Sequence, residues 1–168
     1  MADPAGNELA RRVTDKLRLP PHSVEAEQSL LGGLLLDQRA WDQIADVVAA
    51  EHFYRADHRL IFGAIQTLSE RSQPADPVTL AEFLSTREEL EAAGGMGYLG
   101  DLVVDTPSAA NVRDYARNPR ERALLRRLIE VGNDIASSAY HPDGRPISEL
   151  VDEAERRVFE IAEGGQRR

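Results

Sequence analysis

Apolar positions recur at helical spacing along almost the whole chain. Pro20 and Pro21 punctuate the sequence, and Ser23 offers an N-cap for a first helix running to about Leu36. Glu25 and Glu27 stand in its first turn, at the positive end of the helix dipole. Trp41, Ile44, Val47 and Val48 predict a second helix, and Ile61, Ala64, Ile65 and Leu68, after the Phe53–Tyr54 pair, a third. Asp76 and Pro77 read as N-cap and first residue of a fourth helix carrying Leu80, Phe83 and Leu84, with Gly94 a stop after the turn at 87–93. Tyr98, Leu99, Leu102 and Val103 predict a short fifth helix that closes near Thr106 and Pro107. No strand-like alternation survives anywhere, so the fold class is all-α.

The character changes after Pro107, where short helices give way to two longer ones, at about 108–139 and 147–163. The turn at 140–146, with His141, Pro142, Asp143 and Gly144, folds them into an antiparallel hairpin. The expected architecture is a globular bundle of short helices at 20–107, then a long antiparallel helical hairpin at 108–163. Residues 1–19, polar with Arg11, Arg12, Lys16 and Arg18, read as a flexible tail. Within the first hairpin helix Asn118–Pro119 predicts a kink or break, because an interior proline costs ~3 kcal/mol. Asn118 could cap a restarted helix with Pro119 first.

The hairpin is the most informative stretch. Leu124, Leu128, Val131 and Ile135 form one apolar stripe, and Leu125, Ile129 and Ala136 form a second beside it. Together they cover roughly 160° of the helix circumference, more than one partner helix can hide. Ile147, Val151, Ala154, Val158 and Ile161 keep the spacing of a heptad seam, and Phe159 stands off it. The surplus apolar surface packs either on the chain's own globular part or on another subunit, and periodicity leaves both open.

Composition narrows the chemistry. The chain has 168 residues, a net charge of −9 and no cysteine. Phosphate backbones are therefore repelled on average, and disulfides, thiolate metal sites and thiol nucleophiles are excluded. Nothing approaches a membrane span or a signal peptide, which makes a cytoplasmic location the default. Gly95, Gly97 and Gly100 match the spacing of a dinucleotide fingerprint, but a helix former at 87–93 precedes them where that motif needs a strand. No phosphate-binding loop is present, so no catalytic residue, cofactor or metal ligand is assigned. His22, His52, His58 and His141 are scattered and read as surface or capping residues. Arg113, Arg117, Arg120, Arg122, Arg126 and Arg127 make one basic stretch. It could meet phosphate, as a nucleic-acid-binding helical module would, or pair with acids such as Asp152, Glu153 and Glu155 on the neighbouring helix.

Several separate motifs resemble the N-terminal domain of DnaB-type replicative DNA helicases, over nearly all of residues 20–163. They are the run Pro20 to Gly33 (PPHSVEAEQSLLGG), Phe53–Tyr54 with His58–Arg59, Gly94–Gly95 with Tyr98–Leu99, Thr106 to Asn111 (TPSAAN), and Arg120 to Leu125 (RERALL). The resemblance implies a helical head and a hairpin that pairs between subunits, first as dimers and then as the collar of a hexameric ring. Leu124, Leu128, Val131, Val151, Val158 and Ile161 are the expected oligomer interface. It also implies docking of the C-terminal domain of a DnaG-type primase at Tyr98, Ile129 and Ile135, with a helicase loader a further candidate partner. ATP, Mg and 5′ to 3′ unwinding would belong to a RecA-like motor domain beyond a linker starting at 164–168. DNA contact by this chain would be weak or indirect.

Overall fold

The computed structural model describes residues 19–106 and 108–166. Every regular element among them is helical: α1 (Val24–Leu36), α2 (Ala40–Ile44), a 3-10 turn (Ala50–His52), α3 (Ala56–Glu70), α4 (Pro77–Thr86), α5 (Gly95–Val104), α6 (Val112–Tyr140) and α7 (Ile147–Gln166). The expected tail, except Leu19, and the last two residues of the expected linker lie outside the described residues.

Local chemistry sets most of the boundaries. Ser23 caps α1 by accepting from the Ala26 N–H at 3.2 Å, and Asp76 caps α4 by accepting from the Thr79 N–H at 3.0 Å, with Pro77 in the first turn. α2 is shorter than its apolar spacing predicts. Val47 and Val48 both donate to the Ile44 carbonyl, which ends the helix in a tightened turn, and His52 Nδ1 then accepts from the Ala49 N–H at 2.9 Å.

The core lies among α1, α3, α4 and α5, with Leu30, Leu31, Leu34, Ile61, Phe62, Ile65, Leu80, Leu84 and Leu99 fully buried. It does not stop at Pro107. Val112 and Ala116, in the first turns of α6, are buried in the same cluster, so the helix that starts the hairpin is rooted in the head.

That rooting explains why α6 survives its proline. The expected kink or restart is not seen: α6 is one helix from Val112 to Tyr140 with Pro119 inside it. Val112, Ala116 and Pro119 fall on one face and are all buried, so packing on the head offsets the lost hydrogen bond. Asn118 caps nothing, and its Oδ1 is buried without a partner.

Two adjacent glycines allow α1 to pack this closely. A Cβ on Gly32 would run into the Thr106 hydroxyl and the Leu102 carbonyl, and one on Gly33 would lie 2.5 Å from a Val112 methyl. Gly63, on α3, faces open space. Gly32→Ala should therefore cost about 3 kcal/mol by forcing backbone apart, whereas Gly63→Ala should gain up to ~1 kcal/mol through helix propensity. Thermal melts of the two variants should move in opposite directions, the first down by roughly 6–12 °C. A shared direction would contradict the close-approach account.

Candidate functional site

The hairpin helices are held together by few residues. Val131 on α6 and Ile161 on α7 are buried, and Asp134 accepts from Arg157 at 2.8 Å. Half-buried Ile135 and Ser138 on α6, and Leu150, Ala154 and Arg157 on α7, complete the line of contact. Val131 and Ile161, expected at an oligomer interface, are thus already buried within this chain. Likewise the expected heptad seam of α7 divides: Ala154 and Ile161 turn inward, while Ile147, Val151 and Val158 stay exposed.

The residues left outside share a face. At about 100° per residue, Leu125, Leu128 and Ile129 lie between roughly 50° and 150° round α6 from its contact line, in one rotational sense. Ile147, Val151 and Val158 lie on the same side of α7, because equal rotation from the seam of an antiparallel pair leads both helices to one face. Leu128 is 47% exposed, Ile129 49%, Val158 49% and Phe159, further round, 63%. Among the described residues nothing covers this apolar surface.

At the other end, the head builds a polar chain. Glu27 is 1% exposed, and its carboxylate accepts from the Tyr54 N–H at 2.8 Å and from His58 Nδ1 at 2.8 Å. The other ring nitrogen of His58 lies 2.6 Å from the Tyr98 hydroxyl, which also accepts from the Gln28 amide at 3.1 Å. Burial raises the Tyr98 phenol above its ordinary value, so it stays an O–H donor. Gly94, at φ 103°, lies against the Tyr98 ring and completes its seat. His58 is therefore no surface or capping residue. Its partner Glu27 is too distant in sequence for local spacing to reveal.

Arg126 joins head to hairpin. Its guanidinium donates to the Pro21 carbonyl at 2.7 Å and the His52 carbonyl at 2.8 Å and sits 5.5 Å over the Tyr54 ring. Burial lowers its pKa, with Glu27 and Tyr54 opposing. Nothing local marks this residue, since both acceptors belong to distant segments. Burial also lowers His52, in keeping with its bare Nδ1 as a cap. Tyr98 and Arg126 meet at one corner through the neighbours Tyr54 and Arg55, the latter 5.6 Å over the Tyr98 ring. Ile129 lies about 60° round α6 from Arg126, whereas half-buried Ile135, on the hairpin's own contact line, lies about 13 Å further along the axis and on the opposite side of the helix from Arg126.

Residues 19–121 match the family model of the DnaB-like helicase N-terminal domain. The chain belongs to that family. It is 46% identical over 145 residues to the replicative DNA helicase DnaB of Pasteurella multocida, covering 86% of this chain and 31% of that protein. To the DnaB of Haemophilus influenzae it is 47% identical over 150 residues, covering 89% and 32%. The chain thus spans about a third of the length of these relatives. The crystal structure of the N-terminal domain of DnaB helicase from Mycobacterium tuberculosis superposes with a TM-score of 0.81 at 38% identity, covering 84% of this chain and 99% of that one. A structure described as a DnaB-like replicative helicase and its interactions with primase shares the fold, with a TM-score of 0.67 at 24% identity, covering 81% and 31%.

The remaining motifs of this DnaB-family domain stay structural. The glycine spacing at 95–100 lies wholly inside α5, without the strand that dinucleotide binding needs. The arginines of α6 do not form a continuous basic surface. Arg117 pairs with Asp114 and Arg127 with Glu130, each within the helix, and Glu153, expected to answer them, pairs with Arg145. A groove of about 860 Å³ runs between head and hairpin, lined by Arg113, Arg117, Arg120, Arg126 and Arg127 together with Asp46, Glu51, Glu121, Glu130 and Glu160. No group of His and acidic residues among the described ones could hold a metal, and no described helix is long and apolar enough to cross a membrane.

Arg126→Met keeps the aliphatic stem but strands two carbonyls. It should cost about 2–3 kcal/mol, read as a melting temperature lowered by roughly 4–12 °C, while exposed Arg122→Met should stay within about 0.5 kcal/mol of wild type. Equal stability of both variants would remove Arg126 from the joint.

Proposed function

We propose that this chain is the N-terminal assembly and docking domain of a replicative DNA helicase. The exposed hairpin face, centred on Leu128, Val151 and Val158 with Leu124 at its rim, pairs with the same face of a second copy, and such dimers build toward a hexameric ring. The corner that runs from Tyr98 out to Ile129 and Ile135 docks the C-terminal domain of a DnaG-type primase. ATP-driven 5′ to 3′ unwinding, with its ATP and Mg, belongs to a RecA-like motor domain outside these residues, and a helicase loader would act on the assembled ring.

The uncovered apolar face of the hairpin carries the assembly reading. Two of its three contributors on α7 keep half of their surface in water, a costly arrangement for an isolated chain at about 25 cal/mol per Å². A self-complementary face on an antiparallel pair suits a two-fold dimer, the commonest closed symmetry. The likeness to DnaB proteins supports the helicase setting, and the fold neighbour described with primase supports the docking one. The acids that share the groove with the α6 arginines, and the net charge of −9, oppose the nucleic-acid reading, so DNA contact here is weak or indirect.

Mass measured from low to high micromolar concentration should rise to dimers or larger rings. Leu128→Glu and Val158→Glu should each return it toward monomer while circular dichroism keeps native helicity. A mass that stays monomeric throughout that range would sink the assembly reading. In titrations of the cognate primase C-terminal domain, Ile135→Ala should weaken binding about tenfold or more, the mark of a central anchor. Exposed Arg39→Ala should not. The isolated chain should neither bind nor hydrolyse ATP, and turnover free of contaminating ATPase would overturn that assignment.

A further inference from the structure

We infer that Glu27 and His58 are positioning residues for the docking corner: together they turn the Tyr98 hydroxyl inward, so that a partner protein meets the Tyr98 ring and not its oxygen. The inference rests on the reading of Tyr98 as part of a docking surface and adds the atoms that make the contact.

We assign one arrangement to the donors and acceptors along this line. Glu27 is a carboxylate that already accepts from the Tyr54 N–H, so the short contact to His58 Nδ1 requires that nitrogen to carry a hydrogen. The Gln28 amide donates to the Tyr98 oxygen at 3.1 Å. The Tyr98 hydrogen then has one described acceptor, His58 Nε2 at 2.6 Å. With Nδ1–H facing Glu27, a bare Nε2 accepts from Tyr98 and every polar atom of the chain is satisfied. The two rings are close to parallel, at an interplanar angle of 5° with centroids 5.9 Å apart. Asp57 is the other charged group near the ring, with Oδ1 3.9 Å from Nε2, and it is engaged by Arg55 and by the His58 N–H. Burial of His58 at 0% exposure keeps water from both of its ring nitrogens.

Half-buried Tyr98, packed on the core with its oxygen already committed and Arg55 over its ring, offers the exposed remainder of that ring as a rigid contact. Such a ring loses little conformational freedom when a partner packs on it. Its recognition chemistry is apolar or aromatic contact, which suits an apolar side chain of the docked domain.

The two nitrogens of His58 can be separated by substitution. His58→Asn keeps a donor near the Nδ1 position for Glu27 but removes the acceptor for Tyr98, whereas His58→Gln keeps an acceptor near Nε2 and loses the donor. Titration of the primase C-terminal domain against the folded chain should show His58→Asn and Tyr98→Phe each about tenfold weaker than wild type, and His58→Gln within about threefold. Ring 15N spectra of the wild-type chain should show Nδ1 protonated and Nε2 bare. Wild-type affinity in His58→Asn beside a weak Tyr98→Phe would mean that the hydroxyl itself touches the partner, overturning the inference. Equal losses in His58→Asn and His58→Gln would reduce His58 to a general core residue and overturn it too, as would an Nε2–H ring. Tyr98→Ala separates the levels: if it alone binds as wild type, the docking reading of Tyr98 has failed, and this inference falls with it.

Discussion

A carboxylate cut off from water has to be met by donors, and Glu27 is the buried charge around which the head is arranged. An unpaired ion in an apolar core costs several kcal/mol, so the chain must bring the Tyr54 N–H and the His58 ring to it. Doing so fixes the Phe53–Tyr54 corner, whose two carbonyls are also held by Arg59. It also sets the start of α3 and, through His58, the seat of Tyr98 on α5. Tyr54 in turn supplies the ring beneath Arg126, so the direction in which the hairpin leaves the head depends on the same group.

The residues that carry the family resemblance converge here. From the first run, Ser23 caps α1, Glu27 is the buried acid, Gln28 reaches Tyr98, and Gly32 and Gly33 admit α5 and α6. From the second come Tyr54, His58 and Arg59, and from the third Gly94 and Tyr98. A DnaB-family head is therefore recognisable in sequence because one polar corner and one close packing of backbones each tolerate few residue types. Outside them the requirement is only apolar residues at helical spacing.

What was legible and what was not divides along the same physical line. Caps act over three residues and apolar periodicity over a few turns, so α1, α3, α4, α5 and the two hairpin helices could be read directly, with α2 overextended where a turn tightened. The continuity of α6 through Pro119 was not legible, because it depends on burial of Val112 and Ala116 against a distant helix. Arg126 looked like one more arginine in a basic run, although its partners make it the joint. The hairpin's surplus of apolar positions was visible, yet the division of the α7 seam needed the actual rotation of the two helices. Thus Val131 and Ile161 are buried within the chain, while Leu128, Val151 and Val158 remain to be covered.

The central claim is that a second copy of the chain covers that face. The absence of native cysteine permits a direct measurement, because a single introduced thiol reports one site without background. Leu128→Cys and Val158→Cys chains, treated with a thiol-reactive cross-linker about two helix diameters long at concentrations where the wild type associates, should form cross-linked dimers readily. Gly63→Cys, placed on the head where the structure is open, should not. Equal or absent cross-linking at all three positions would contradict the account, since the apolar face would then meet nothing of its own kind.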